Sequence, residues 1–480
     1  MTIKDLEPKI VWKYFDEITQ VPRPSKKEEK IAAYIESVAA ANNIPCKRDK
    51  AGNILLTKAA SKGFEHLPTV VLQAHLDMVC EKNGDVKHDF DNDPLKTVVE
   101  GEWLRAEGTT LGADNGIGVA AALAVVTSDD VKHGPVECLF TVDEETGLTG
   151  ANALEKGFFT GKILLNLDSE DEGEIFIGCA GGKNTSATFY YGSEPAPEEL
   201  SYFRISVKGL RGGHSGCDIH LGRGNAIKIL ARFLSEEEPQ DILCSFEGGN
   251  LHNAIPREAS AVIGIVPDRK ESVRVQLNNF AATVENELKH SDKDVQLTME
   301  SVEKPDYYII EEDEFSLIKA LVACPHGVLG MSSEIEGLVE TSTNLASVKI
   351  IDDETIEIVT SQRSSVGSLK QAASEMVAAV FELAEATVEH GDGYPGWAPD
   401  RNSKILKVAQ ESYKRLFGKE AAIKAIHAGL ECGLFLEKYP DLDMISFGPT
   451  LRGVHSPDER IEIKTVAMWW EHLKDILVSI

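Results

Sequence analysis

The chain has 480 residues, 42% hydrophobic and 26% charged, a globular balance at a length that predicts two domains rather than one core. Its 49 basic and 78 acidic residues leave a net charge of −29, which excludes nucleic acid and anionic membrane as partners, since both need basic patches. The eight cysteines make no CxxC pair, the longest apolar stretch is about eleven residues, and the N-terminus lacks an apolar signal core, so the expectation is a cytoplasmic protein with reduced thiols and no membrane span.

In chain order, Ser25 and Glu28 stand at capping-box spacing and predict a helix with Ile31, Tyr34, Ile35 and Val38 on one face. Residues 69–74 (TVVLQA) read as a strand buried on both sides, 115–127 as an apolar helix, and 136–142 and 162–167 as further strands. Strands alternating with helices predict an α/β fold around an open, mixed, largely parallel sheet covered on both faces. From about residue 186 the texture changes. A strand at 202–207, a helix at 225–234, strands at 242–246 and 259–266, a helix through Val273, Leu277, Phe280, Val284 and Leu288, and a strand at 295–302 give the order β-α-β-β-α-β of a ferredoxin-like α+β lobe. A second lobe follows: a helix near 314–324, strands near 345–350 and 355–360, and a long helix through Leu369, Met376, Val380 and Phe381.

Residues 391–396 (GDGYPG) read as a turn-rich hinge. Beyond it come a helix through Ile405, Leu406, Ala409, Tyr413, Leu416 and Phe417 that Gly418 can end, a strand at 443–447, and a closing helix with Val466, Trp469, Trp470, Leu473 and Leu477. The simplest organisation is one α/β domain, residues 1–185 plus 396–480, with an inserted domain at 186–395.

Five residues far apart in the chain carry the chemistry. His75, Asp114, Glu145, Asp168 and His455 lie in HLDMV, GADNGIG, VDEETG, NLDSED and RGVHSPDER. Four of them follow strand-like runs and Asp114 opens a helix, and open α/β sheets bind ligands beyond the carboxyl ends of their strands. Two imidazoles and three carboxylates suit two divalent ions about 3.5–4 Å apart that share one carboxylate. The partition is His75, Asp114 and Asp168 for one ion, and Asp114, Glu145 and His455 for the other. Mixed nitrogen and oxygen ligation suits Zn²⁺, with Co²⁺ or Mn²⁺ as alternatives. Helix N-capping by itself would also explain Asp114.

Asp77 lies two residues from His75, on the same face of an extended chain, where a carboxylate can accept the imidazole's other N–H. Glu144 and Glu145 are adjacent and repel each other. A metal relieves that repulsion if Glu145 ligates and Glu144 remains free as a general base for water. This points to a two-metal hydrolase.

Nine segments in order, FDEITQVPRPSKKEEKI, HLDMV, GTTLGADNGIG, DEETGLTGA, NLDSEDEGE, KGLRGGHSGCDIHLGRGNA, GGNLHNAIPR, HAGLECG and FGPTLRGVHSPDER, make the chain resemble the M20 metallopeptidases, and among them the aminoacyl-histidine (Xaa-His) dipeptidases. The resemblance runs nearly end to end. It implies that the five ligands hold two zinc ions, that Asp77 is a catalytic helper and Glu144 the base, and that the inserted domain is a lid. It further implies that His214 polarises the scissile carbonyl, that Asn253 and Arg363 hold the substrate's carboxylate, and that Gly429 and Glu431 line the pocket near its free amine. The expected function is a dizinc dipeptidase acting on unblocked L-dipeptides, including Xaa-His peptides such as carnosine. An aminotripeptidase, a carboxypeptidase or an N-acyl amino acid deacylase of the same family is the alternative, followed by a metal-loaded scaffold without turnover. A small peptide is the expected partner, and a homodimer the expected assembly.

Overall fold

The structure, a computed structural model, describes residues 2–236 and 241–480. It divides into two compact units, Met1–Gly178 with Pro399–Ala425 and Leu430–Ile480, and Cys179–Ala398 with Ile426–Gly429.

The first unit is built on an eight-stranded sheet in the spatial order Cys46–Arg48, Ile54–Lys58, Val136–Thr141, Val70–His75, Ile163–Asn166, Asp443–Ser446, Glu174–Cys179 and Ala422–Ile426. The four strands from Val136–Thr141 to Asp443–Ser446 pair in parallel. Two of these, VVLQAH and VECLFT, are buried at every position, which is why they carry no polar alternation. Helix Ala113–Thr127, solidly apolar from Ile117 to Val126, packs on strand Val70–His75, and helix Lys9–Thr19 lies against it. A separate four-stranded sheet joins Leu451–Arg452, Arg460–Glu462, Trp103–Ala106 and Thr97–Glu100.

The Ser25–Glu28 capping box does not form. The helix runs Glu29–Ala41 without a side-chain cap. Glu28 instead accepts the N–H groups of Lys26 and Asp143, at 2.9 and 3.0 Å, and Ser25 donates to Asp77 Oδ2 at 2.8 Å. Glu28 is buried, and a buried carboxylate takes the donors that cannot reach water.

The second unit centres on a nine-stranded antiparallel sheet made of two β-α-β-β-α-β lobes. The first orders its strands Gln296–Ser301, Ser201–Lys208, Ala259–Ile265 and Ile242–Gly249, with helices Ala226–Leu234 and Lys270–Leu288. The second orders Val339–Asp352, Thr355–Ser364, Gly181–Tyr190 and Thr387–His390, with helices Glu311–Ala323 and Gly367–Leu383, while Gly327–Met331 pairs on Val339–Asp352. Both follow the strand order 4-1-3-2, and they join where Gly248 and Gly249 pair with Val348 and Ser347. Gly249 has φ +67°, and a Cβ there would collide with the Ala346 carbonyl, so the junction requires glycine. Residues 391–396 are not a free hinge. Tyr394 exchanges both backbone hydrogen bonds with Gly182, and the Gly391 N–H reaches the Asn184 carbonyl at 3.0 Å, so the glycines bring this segment alongside strand Gly181–Tyr190.

Candidate active site

The carboxyl ends of the parallel strands deliver the predicted side chains to one place. His75 ends its strand, and its Nε2 lies 3.1 Å from Asp114 Oδ1 and 3.5 Å from Asp168 Oδ1. His455, in the left-handed region at φ +61°, sets its Nε2 3.2 Å from Asp114 Oδ2 and 3.0 Å from Glu145 Oε2. Each oxygen of Asp114 therefore faces a different imidazole, the arrangement of a bridging ligand. The Asp114 carboxylate is turned away from a capping role: its two oxygens face His75 and His455, and the helix is capped at Gly112 with no side-chain bond.

Asp77 is fully buried. Its Oδ1 faces His75 Nδ1 at 3.4 Å and accepts the Glu144 N–H at 3.0 Å, while Oδ2 accepts the Glu145 N–H at 3.2 Å. One carboxylate thus orients the first imidazole and fixes the backbone of the paired glutamates.

Electrostatics describe a site short of positive charge. Burial raises Asp168 to about 6 and Glu144 well above the usual carboxylate range, with neighbouring acids adding to both. Burial also raises Glu170 to about 8, with Asp114 and Asp168 adding to it. Burial works against Asp114 as well, yet hydrogen bonds from His455 and His75 carry it well below its ordinary value. The same bonds, from Asp114 and Glu145, raise His455 to about 11. The carboxylates draw both imidazoles toward their protonated forms. Glu145 Oε1 is buried with no hydrogen-bond partner, and ligand atoms of His75, Asp114 and Glu145 lie within 4.8 Å of one another. This donor set fits divalent cations held by nitrogen and oxygen.

Two buried charges hold this frame and were not anticipated. Glu459 accepts four backbone N–H groups from Leu111 to Asp114, and Arg23 donates to the carbonyls of Leu76, Asp77 and Gly112. Glu431, also buried, accepts Gln73 Nε2 at 2.6 Å and Thr141 Oγ1 at 2.8 Å, and burial raises it to about 8. It thereby joins strands Val70–His75 and Val136–Thr141 near their carboxyl ends.

The remaining predicted residues, His214, Asn253, Arg363 and Gly429, belong to the second unit, where three of them gather around Ser215. The Ser215 N–H donates to the Asn253 carbonyl at 2.8 Å, and Arg363 Nε donates to Ser215 Oγ at 3.3 Å. Arg363 Nη1 donates to the Tyr394 hydroxyl at 2.9 Å, and a Cβ on Gly429 would sit 2.9 Å from that tyrosine's ring. His214 Nδ1 accepts the N–H groups of Gly216 and Cys217, at 3.2 and 3.1 Å. Its proton is thereby placed on Nε2, and burial, with Arg363, lowers its pKa, so a neutral imidazole presents an N–H donor. Arg363 is buried, and among the described residues no carboxylate lies within ion-pair distance of it.

Residues 71–478 match the peptidase family M20/M25/M40. A cytosol non-specific dipeptidase of Escherichia coli (strain K12) is 44% identical over 480 residues, spanning 100% of this chain and 99% of its own length. The crystal structure of aminoacylhistidine dipeptidase from Vibrio alginolyticus aligns with a TM-score of 0.92 at 43% identity, covering 99% of this chain and 98% of that one. Aminopeptidase PepT from Bacillus cereus ATCC 10987, with a TM-score of 0.58 at 17% identity over 99% of both chains, shares the fold. No helix among the described residues is long and apolar enough to cross a membrane. The chain belongs to peptidase family M20/M25/M40.

Proposed function

We propose that the chain is a dipeptidase that hydrolyses unblocked L-dipeptides, Xaa-His peptides among them, in the cytosol. The observation that carries this is the Asp114 carboxylate set between two imidazoles, with Glu144 next to Glu145, whose Oε2 faces His455. His75, Asp114 and Asp168 would hold one zinc ion, and Asp114, Glu145 and His455 the other. Divalent ions there supply Lewis-acid polarisation of the carbonyl and acidification of a water molecule.

The chain's own residues do the rest. Asp77 fixes the tautomer and orientation of His75. Glu144, raised by burial, takes the proton from the attacking water and passes it to the leaving amine. His214 donates its Nε2 proton toward the carbonyl oxygen as negative charge develops there. Arg363, a buried guanidinium without an acidic partner among the described residues, is suited to grip the substrate's carboxylate in two places, with Asn253 beside it. Gly429 keeps the wall by Tyr394 clear.

The test is Glu144→Gln together with a substrate panel. The variant should lose turnover by at least the ~10²–10⁴-fold ascribed to a positioned base while retaining about two equivalents of metal. Dipeptides should be cleaved in preference to tripeptides and N-acetylated amino acids. Retained turnover would remove the base, and a preference for blocked amines would make the chain a deacylase.

A further inference from the structure

The bridging carboxylate stands on the four-residue turn 111–114, and that turn is gripped from two sides by opposite charges. On one side Glu459 Oε2 accepts the N–H groups of Leu111 and Gly112 at 2.7 and 2.9 Å, and Oε1 accepts those of Ala113 and Asp114 at 2.7 and 3.3 Å. On the other, Arg23 Nη2 donates to the Gly112 carbonyl, and Nη1 to the carbonyls of Leu76 and Asp77 at 2.9 and 2.7 Å. Both side chains are 2% exposed. Gly112 and Gly116 make room for the guanidinium: a Cβ on either would lie 2.5 or 2.7 Å from Nη2.

Two features separate this from an ordinary buried ion pair. Arg23 ties the Asp114 turn to the segment just after His75, so two ligands of one proposed ion share a single anchor. Glu459 lies four residues after His455 on the same connection, so it ties the Asp114 turn to the loop bearing a ligand of the other. The Asp114 carboxylate reaches both imidazoles from an extended backbone, and the four N–H groups of that turn are all held by one carboxylate.

We propose that Arg23 and Glu459 are positioning residues of the dinuclear centre, setting the Asp114 bridge and holding the His75 and His455 sides in register. The proposal rests on the metal-centre reading above. Outer-shell partners of this kind typically contribute about 10–100-fold in metal affinity.

The experiment measures affinity for both ions by zinc competition with a chelator in wild type, Glu459→Gln, Glu459→Asp and Arg23→Lys. Melting temperatures are read with and without zinc. Glutamine turns part of the acceptor row into a donor facing N–H groups, whereas aspartate keeps the charge and withdraws it by one methylene. Glu459→Gln is expected to weaken at least one ion by about tenfold or more and to shrink the zinc-induced rise in melting temperature, with partial recovery in Glu459→Asp. A fall of equal size with and without zinc, at unchanged affinity, would mark a purely structural role and overturn the proposal. So would failure of all three variants to fold. A wild-type protein that binds fewer than two zinc ions would instead sink the metal centre itself, and the clamp with it.

Discussion

At the residue scale, position along a strand separates what sequence reading reached from what it missed. His75, Glu145, Asp168 and His455 were legible because each stands in a polar phrase after a strand-like run, and Asp114 because it opens an apolar helix, positions at which open α/β sheets gather ligands. Arg23 and Glu459 were not, since a lone arginine in VPRPS or a charge run in HSPDER reads as solvated surface and only the fold shows them buried. His214 shows what local geometry adds. Sequence places it between glycines, and the structure assigns its proton to Nε2 through two backbone donors on Nδ1. Replacing His214 with alanine should lower kcat by about 10²–10³, the range for one lost oxyanion donor, with a much smaller change in KM. Steady-state kinetics on a dipeptide decide the point: an effect confined to KM would make it a binding residue. Gly429→Ala should act the other way. Its Cβ would press on the Tyr394 ring, so KM should rise more than kcat falls.

At the element scale, long periodic segments came out where the pattern put them, as with helix Ala226–Leu234 against the expected 225–234 and helix Lys404–Phe417 closed by Gly418 at φ +69°. Short strands did not. The sheet that joins Leu451–Arg452, Arg460–Glu462 and Trp103–Ala106 is assembled from two- to four-residue pieces some 350 residues apart, and such pairings leave no local period to read. Strand Glu174–Cys179, one place in from the sheet edge, was hidden by the acidic run before it. Element ends also carry titrating groups. Glu314, in the first turn of helix Glu311–Ala323, accepts the Leu243 N–H at 2.8 Å, and burial raises its pKa to about 7 from 4.5. As pH rises from 4.5 to 7 the unfolded chain loses this proton and the folded chain keeps it, so stability falls with rising pH across that window. The loss is of order 3 kcal/mol at most for such a shift. Glutamine retains an acceptor for Leu243 without the charge. Glu314→Gln should therefore melt progressively higher than wild type as pH goes from 5 to 8, other groups cancelling in the comparison. An offset independent of pH would mean the carboxyl does not titrate in this way.

At the scale of the whole molecule, the charge of −29 and the carboxylates gathered around Asp114 act in the same direction. Neighbouring carboxylates add to the raised pKa values of Glu144, Asp168 and Glu170, and protonated imidazoles are a partial remedy for that repulsion. Divalent ions are the fuller one, so chelation should abolish turnover and lower the melting temperature together. Ligand linkage puts the stabilisation near 4 kcal/mol per ion at free metal a thousandfold above its Kd. Zinc should restore both properties. Magnesium should restore neither, because imidazole suits the first-row metals while magnesium prefers an all-oxygen shell. The net charge adds a kinetic signature. A strongly negative surface raises the local concentration of cations, and that field is screened beyond about 8–10 Å at physiological salt and about 3 Å at 1 M. Reactivation of the metal-free protein by zinc, followed by stopped-flow turnover, should slow severalfold between 10 mM and 1 M sodium chloride, as an order-of-magnitude expectation, and still reach the same endpoint. A rate indifferent to salt would show that the acidic surface serves solubility alone and does not guide the ions to their site.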